Sequence, residues 1–178
     1  MTIGTLAAVP AAEHPELLAA PVAAALAAWS AEIPVAEIGV AAIDPALADT
    51  AAFCERYDVG LDVSANCVVL ACRREGRRWF AACIILATTR ADVNGAVKRA
   101  LGASKISFAP MDEAVAETGM EYGGITPIGL PADWPILIDQ RVLDAGRVIV
   151  GSGIRASKIT IPGMALATLA SADVGSFA

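Results

Sequence analysis

Apolar residues run along this chain in blocks of two kinds, and the spacing within each block predicts its element. From Leu17 to Trp29 the chain is apolar and alanine-rich, and Glu13, Glu16 and Glu32 flank it. This predicts a helix over about residues 15–30, with Pro15 in its first turn and a bland face packed on the core. "IPVAEIGVAAID" (33–44) reads as a strand. "DPALADTAAFCERY" reads as the helix that follows, with Asp44 as cap, Pro45 at the first helical position and apolar residues at helical spacing. "NCVVLACRREGRRWFAACIILA" (66–87) is two apolar runs about Arg74-Glu75-Gly76-Arg77, the pattern of a hairpin buried on both faces near the middle of a sheet.

Beyond it, "TRADVNGAVKRALG" predicts a capped helix stopped by Gly102, "KISFA" a short strand with a solvated Lys105 before it, and "PMDEAVAETG" a second helix ending in glycine. "WPILID" (134–139), "RVIVG" (147–151) and "SKITI" (157–161) are β-rich runs, and "PGMALATLA" (162–170) is a closing helix. Strands and helices alternate without repeat, linker or charge block, which predicts one mixed α/β (α+β) domain over residues 1–178. One segment fits neither period: "EYGGITPIGLP" (121–131) holds Gly123, Gly124, Pro127, Gly129 and Pro131. Glycine permits positive φ and close backbone approach, and proline fixes φ and removes a donor, so the stretch forms one defined loop with exposed amides. It is a ligand wall or a tight turn between elements.

Composition narrows the setting. With 178 residues, 56% of them hydrophobic, the chain has material for one proper core. A net charge of -6 argues against a broad grip on duplex nucleic acid, which takes many cationic contacts. Arg73, Arg74, Arg77 and Arg78 crowd the hairpin turn and read as a solvated tip rather than an RNA contact. The N-terminal apolar run is too short to span a bilayer, and no Lys or Arg occurs before Arg56, so neither a signal peptide nor a membrane partner is expected and the reading is cytoplasmic. Cys54, Cys67, Cys72 and Cys83 form no CxxC pair, and His14 is the only histidine, so buried free thiols are expected rather than a zinc site. Cys67 and Cys72, five apart in a strand, point to opposite faces.

GxSxG, Walker and HExxH motifs are absent, and the sole histidine lies near the N-terminus, which disfavours triad chemistry. An enzyme built this way positions a substrate that is already reactive and stabilises developing charge with backbone amides.

"TGMEYGGITPIGLP", followed by "PILIDQRVL" and "VIVGSGIRASKITI", resembles the YbaK/EbsC family of aminoacyl-tRNA deacylases, related to the editing insertion of bacterial prolyl-tRNA synthetase. The likeness runs from about Asp44 to Ala172 and rests on the ordered combination of these motifs. It implies a YbaK-like fold, a curved, barrel-like mixed sheet with surrounding helices. It implies hydrolysis of the ester between a wrong amino acid and the 3′-terminal adenosine of tRNA, without metal or organic cofactor. The implied partners are the tRNA 3′ end and, as a further candidate, an aminoacyl-tRNA synthetase, but not duplex DNA.

In that family the loop from Gly123 through Gly124, Ile125 and Thr126 to Pro127 lines the amino-acid pocket, with Gly129 just beyond, and its amides are placed to hold an oxyanion. A ribose hydroxyl of the substrate helps to activate water. Arg155 and Lys158, after Gly151 and Gly153, are candidates to meet the tRNA backbone, or else solvated surface residues. Asp139 matches the family's acidic position and is expected to anchor the pocket by hydrogen bonds rather than to move protons. Trp79 and Trp134 can stack on a base, though packing is the commoner fate.

One departure stands out: many members carry a lysine where this chain has Asn66, at the start of a strand, and use it to position the terminal adenosine. Asparagine keeps hydrogen bonding but brings no charge; its bland role is to open the strand. Three readings stay open: a trans-editing hydrolase, a binding module that has lost hydrolysis, and an esterase acting on other small acyl esters.

Overall fold

A computed structural model describes residues 1–178. The chain opens with three two-residue strands, β1 (Thr2–Ile3), β2 (Leu6–Ala7) and β3 (Val9–Pro10), then α1 (Ala20–Ala27) and β4 (Gly39–Ala42). Next come α2 (Thr50–Tyr57) and the hairpin of β5 (Ala65–Arg74) and β6 (Arg77–Leu86). A π-type turn at Val93–Val97 runs into α3 (Lys98–Ala100), followed by β7 (Lys105–Phe108) and α4 (Met111–Thr118). After the glycine-rich loop the chain continues through β8 (Ile136–Asp139), α5 (Gln140–Asp144), β9 (Arg147–Gly151), β10 (Ser157–Pro162), α6 (Gly163–Leu166) and β11 (Ala172–Gly175).

The long hairpin pairs in register from Ala65–Leu86 to Arg74–Arg77, and its apolar runs are uninterrupted because both faces are covered. It forms the centre of a five-stranded sheet ordered β11-β8-β6-β5-β7, in which β8 runs parallel to both β6 and β11. A second, antiparallel sheet is ordered β3-β4-β10-β9. One bridge, Ser64 to Ile149, joins the two at a corner. The mixed α+β fold is as expected, but the sheet does not close into a barrel: β7 and β11 remain edges of one sheet, and β3 and β9 of the other. The main core lies between the sheets, where Ile84 and Ile138 meet Val150, Ile159 and Ile161, and Val22 and Leu26 of α1 cover it.

Several boundaries differ from the sequence reading, three of them for a backbone reason; the closing helix is also shorter than the expected 162–170, covering only Gly163–Leu166. Pro15 opens only a 3-10 turn (Pro15–Leu17), and α1 begins later with Pro21 in its first turn. A single helix through both prolines would need the amide that Pro21 lacks. Pro34 likewise starts a 3-10 turn (Val35–Glu37), so only Gly39–Ala42 of the expected strand is paired. Asp44 does cap, its carboxylate accepting from the Ala46 amide at 2.9 Å, but it caps a 3-10 turn, and α2 proper starts at Thr50. Gly102 and Gly119 stop their helices with positive φ, as their positions predict.

Candidate functional site

The glycine-rich loop is bound to the β9–β10 connection backbone to backbone. Glu121 donates its amide to the Gly153 carbonyl and Gly153 donates to the Gly124 carbonyl, both at 2.8 Å, while the Glu121 carboxylate accepts from the Arg155 amide at 2.6 Å. Such closeness admits no side chain. A Cβ on Gly151 would stand 2.1 Å from the Gly124 oxygen, and one on Gly124 would meet the Ile154 backbone at 2.7 Å. Gly129 and Gly153 are bare for a related reason, since α1 lies against both through Pro21, Val22 and Ala19. Most of these glycines therefore hold the loop in place, and only part of it faces a ligand.

That part borders a cavity of about 440 Å³ between the two sheets. Its mouth forms where β5 loses its neighbour: β7 pairs only with Leu70 to Arg73, and Ser64 bridges β9, so the outer edge of β5 from Ala65 to Val68 has no partner strand. Val69 and Ile125 supply apolar wall, α2 contributes Asp49, Thr50 and Phe53 from its N-terminal end, and Phe108 and Tyr122, 67% and 55% exposed, stand at the rim. Gly123 and Ile125 line the cavity, and their amides have no hydrogen-bond acceptor within the protein. The Gly124 amide, by contrast, donates to the Glu121 carbonyl at 2.9 Å and is not free to hold a ligand.

One cation enters this cavity. Lys158 lies on β10, the strand between β4 and β9, and is 8% exposed; the surface role weighed for it on sequence does not hold. Its ammonium donates to the Ala48 carbonyl at 2.9 Å and sits 5.4 Å from the centre of the Phe53 ring. Burial holds the Lys158 pKa below the usual lysine range, and the Arg155 guanidinium acts in the same direction, against a smaller opposing pull from Asp49. Arg155 stands behind the loop, its guanidinium donating to the Pro45 carbonyl at 3.2 Å, the Tyr122 carbonyl at 3.3 Å and the Asp49 carboxylate at 3.4 Å. It clamps the loop to the start of α2 and is not a freely solvated side chain.

Asn66 lines the same cavity, and its side-chain oxygen accepts from the Thr50 hydroxyl at 2.8 Å. Cys67 is a wall residue as well, but burial pushes its thiol far above the ordinary cysteine range, so it is a poor nucleophile. Cys72 and Cys83 are pushed up to about 11 and about 12 in the same way. His14 pairs with Glu16 at 2.8 Å and is not among the residues lining the cavity.

Of the residues singled out from sequence, Asn66, Gly123, Ile125, Gly151 and Lys158 come together around the cavity. Gly124, Thr126, Pro127, Gly129 and Gly153 lie behind its wall, where Thr126 is fully buried with no partner for its hydroxyl. Asp139 is elsewhere. At 1% exposure it caps α5 through the Arg141 amide (3.1 Å) and accepts from the amides of Phe177 (2.7 Å) and Ala178 (3.0 Å). It anchors the C-terminal segment and not the pocket. Trp134 is buried against Phe80, with ring centroids 5.2 Å apart, and Trp79 lies under Arg77, so neither offers a free stacking face. The α2 contribution was missed because "ADTAAF" reads only as helix; its helical start is the one signal that could have marked it.

Residues 44–169 match the family model of the aminoacyl-tRNA editing domain, and the chain belongs to that family. Among solved structures it is similar to a protein proposed to be a trans-editing enzyme for prolyl tRNA synthetase, at 18% identity and a TM-score of 0.74, covering 89% of this chain and 95% of that one. A chain from work on scaffold proteins for grafted linear epitopes is similar to the same degree, with 96% of it covered. Hypothetical protein APE2540 is similar at 21% identity and a TM-score of 0.65, covering 73% of this chain and 83% of that one. At these identities the likeness is one of fold. Family membership assigns the chain a role in aminoacyl-tRNA editing at the general level. No helix is long and apolar enough to cross a membrane.

Proposed function

We propose that this protein is a free-standing trans-editing hydrolase that cleaves the ester between a mischarged amino acid and the 3′-terminal adenosine of its tRNA. The observation that carries the reading is the meeting, around one cavity of about 440 Å³, of Gly123 and Ile125, whose amides have no acceptor within the protein, with the buried ammonium of Lys158. That volume is in the range of small-molecule sites.

In this reading the aminoacyl group enters past Phe108 and Tyr122, and water adds to the ester carbonyl. The vicinal ribose hydroxyl orients that water and relays its proton. The oxyanion that forms is met by the free amides and by Lys158, whose fixed dipoles and charge act more strongly in a partly buried site than in bulk water. Collapse breaks the bond to the ribose oxygen, which takes up a proton, and releases the free amino acid. Direct attack by water is favoured over a covalent route: the wall cysteine is held as a thiol, and no histidine stands by as its base. The wall of Val69 and Ile125 sets the size limit, and one methylene more or less changes binding by only about 1 to 3 kcal/mol, which is why editing is needed at all.

Asn66 favours a second reading, a binding module without turnover, because it replaces a cation by an amide already tied to Thr50. A panel of mischarged tRNAs assayed with the wild type, Gly123→Val and Asn66→Lys separates the two. Turnover lost in Gly123→Val supports hydrolysis at this loop; tight binding with no turnover on any substrate supports the second reading; turnover of small acyl esters alone moves the activity to a different esterase.

A further inference from the structure

Charge is distributed very unevenly along this acidic chain. Residues 73–105 carry eight of its thirteen Lys and Arg but two of its nineteen Asp and Glu, a net +6 against -12 for the remainder. The pairing of strands gathers most of this charge at one end of the five-stranded sheet; Arg90, past Leu86 at the opposite end of β6, stands apart from it. Arg73 stands directly opposite Arg78 on one side and directly opposite Lys105 on the other, so three cations form one row across β7, β5 and β6. Like charges in such positions repel and destabilise the sheet.

The chain does little to relieve that cost. Arg78 pairs with Glu113 and Arg74 with its neighbour Glu75, whereas Arg73, Arg77, Arg99 and Lys105 have no carboxylate within salt-bridge distance. All of them are exposed. Arg74 donates to the Gly102 carbonyl at 3.2 Å, which brings the cationic end of α3 to the same place.

The row also has a definite relation to the cavity. Side chains two residues apart share a face of a strand, so Arg73 lies on the β5 face of Cys67 and Val69, both wall residues. From Val69 to Arg73 is about 14 Å along the strand. The intervening Ala71 is small, and Glu113, which meets Arg78, is on α4 next to Ala114 of the cavity wall.

We propose that this basic end of the sheet, centred on Lys105, Arg73 and Arg78, is the docking surface for the phosphates of the tRNA acceptor end that precede the terminal adenosine. The proposal rests on the editing reading for what enters the cavity, and it adds where the remaining nucleic acid lies. A row of three cations of which only Arg78 has a carboxylate partner, in a strongly acidic protein, loses stability and gains attraction for a polyanion. RNA phosphates fit that chemistry, and Arg73 lies on the same β5 face as the wall of the site that takes the 3′ end, about 14 Å from Val69.

The test is Arg73→Ser/Lys105→Ser, which spares the Arg78–Glu113 pair and every cavity residue, beside an Arg56→Ser/Arg90→Ser control that removes the same charge elsewhere. Binding of fluorescently labelled, deacylated tRNA is measured by anisotropy over a salt series, with thermal melting in parallel. The expected result is weaker tRNA binding with a melting temperature equal to or above wild type. Loss of two phosphate contacts lowers the slope of log K against log salt by about 1.4 to 1.8, so the wild-type advantage shrinks about tenfold between roughly 50 and 200 mM salt. On a mischarged tRNA, KM rises and kcat holds, while hydrolysis of a minimal aminoacyl-adenosine ester does not change.

Wild-type affinity and slope in this variant, an equal loss in the control, or no tRNA binding by the wild type overturns the proposal. A wild type that binds tRNA through this surface yet hydrolyses no ester sinks the editing reading and leaves the surface standing.

Discussion

Lys158→Met is the most informative single change at the site. Methionine keeps an unbranched apolar stem against Phe53 and removes only the ammonium, which donates one hydrogen bond, 2.9 Å long, to Ala48. For folding, two effects oppose each other. A hydrogen bond from a charged donor contributes about 1.5 to 3 kcal/mol, and its loss leaves the Ala48 carbonyl without that partner. Burying an ammonium carries a desolvation cost, which the variant recovers; the same burial holds the Lys158 pKa down. The net change is within about 1 kcal/mol of zero or stabilising, so the melting temperature stays within about 4 °C or rises.

For catalysis nothing compensates. Removing one donor that meets an oxyanion costs about 2.7 to 4 kcal/mol, a 10²- to 10³-fold fall in kcat. Single-turnover hydrolysis of a mischarged tRNA, with binding of the deacylated tRNA as control, separates the two effects: kcat falls and binding holds. A variant that melts like the wild type and turns over within threefold of it refutes the role given to Lys158, and a variant that loses activity only in proportion to lost fold reduces Lys158 to a packing residue.

The pH dependence carries a paired signature. Because the folded pKa of Lys158 lies below the ordinary 10.5, the unfolded chain binds more protons between the two values, so stability rises with pH across that interval while activity that needs the ammonium falls across it. Both trends vanish in Lys158→Met, which pH-rate and pH-melting profiles corrected for spontaneous ester hydrolysis will check. Gly151→Ala forces a methyl against the Gly124 carbonyl, a contact of 2.1 Å with backbone that cannot swing away. Overpacking of this kind costs about 1 to 3 kcal/mol and shifts the loop, so the melting temperature drops by up to about 12 °C and kcat falls more than the folded fraction does. Asp139→Ala releases three amides, those of Arg141, Phe177 and Ala178, and lowers stability by about 3 kcal/mol while the folded enzyme keeps its kcat. A collapse of kcat at full folding in that variant would return Asp139 to the chemistry.

What the sequence made legible, and what it did not, follows from how local each determinant is. The β5–β6 hairpin could be read because burial on both faces leaves two continuous apolar runs, and α4 because Gly119 supplies the left-handed stop. The glycine-rich loop was recognised as a defined wall, but its glycines were credited to a ligand when most answer to neighbouring backbone, as Gly124 does to Ile154 and Gly129 to Pro21. That distinction depends on chain segments about thirty or a hundred residues away. Lys158 was among the candidate site residues, but "SKITI" alone could not decide between a ligand contact and a solvated surface position: pairing with β4 on one side and β9 on the other is what buries it. β11 escaped notice because its four residues, Ala172 to Gly175, have no apolar period and gain their structure from parallel pairing with β8.

The family resemblance implies a lysine where Asn66 stands, and the placing of Lys158 bears on that difference. A cation at the start of β5 would stand on one wall of the cavity; here that wall carries an amide, and the cation comes from β10 and lines the same space. Two buried lysines in one cavity of this size would each be desolvated and would repel each other, so a buried ammonium at 158 and a neutral side chain at 66 are electrostatically consistent. The Thr50 hydroxyl donates to the Asn66 oxygen, which orients the amide and leaves its NH₂ group as a donor. Against the lysine that the family resemblance implies there, asparagine at 66 leaves one wall neutral while the site keeps a cation, and that buried ammonium is held on β10 directly opposite Gly151 of β9, which packs against the glycine-rich loop.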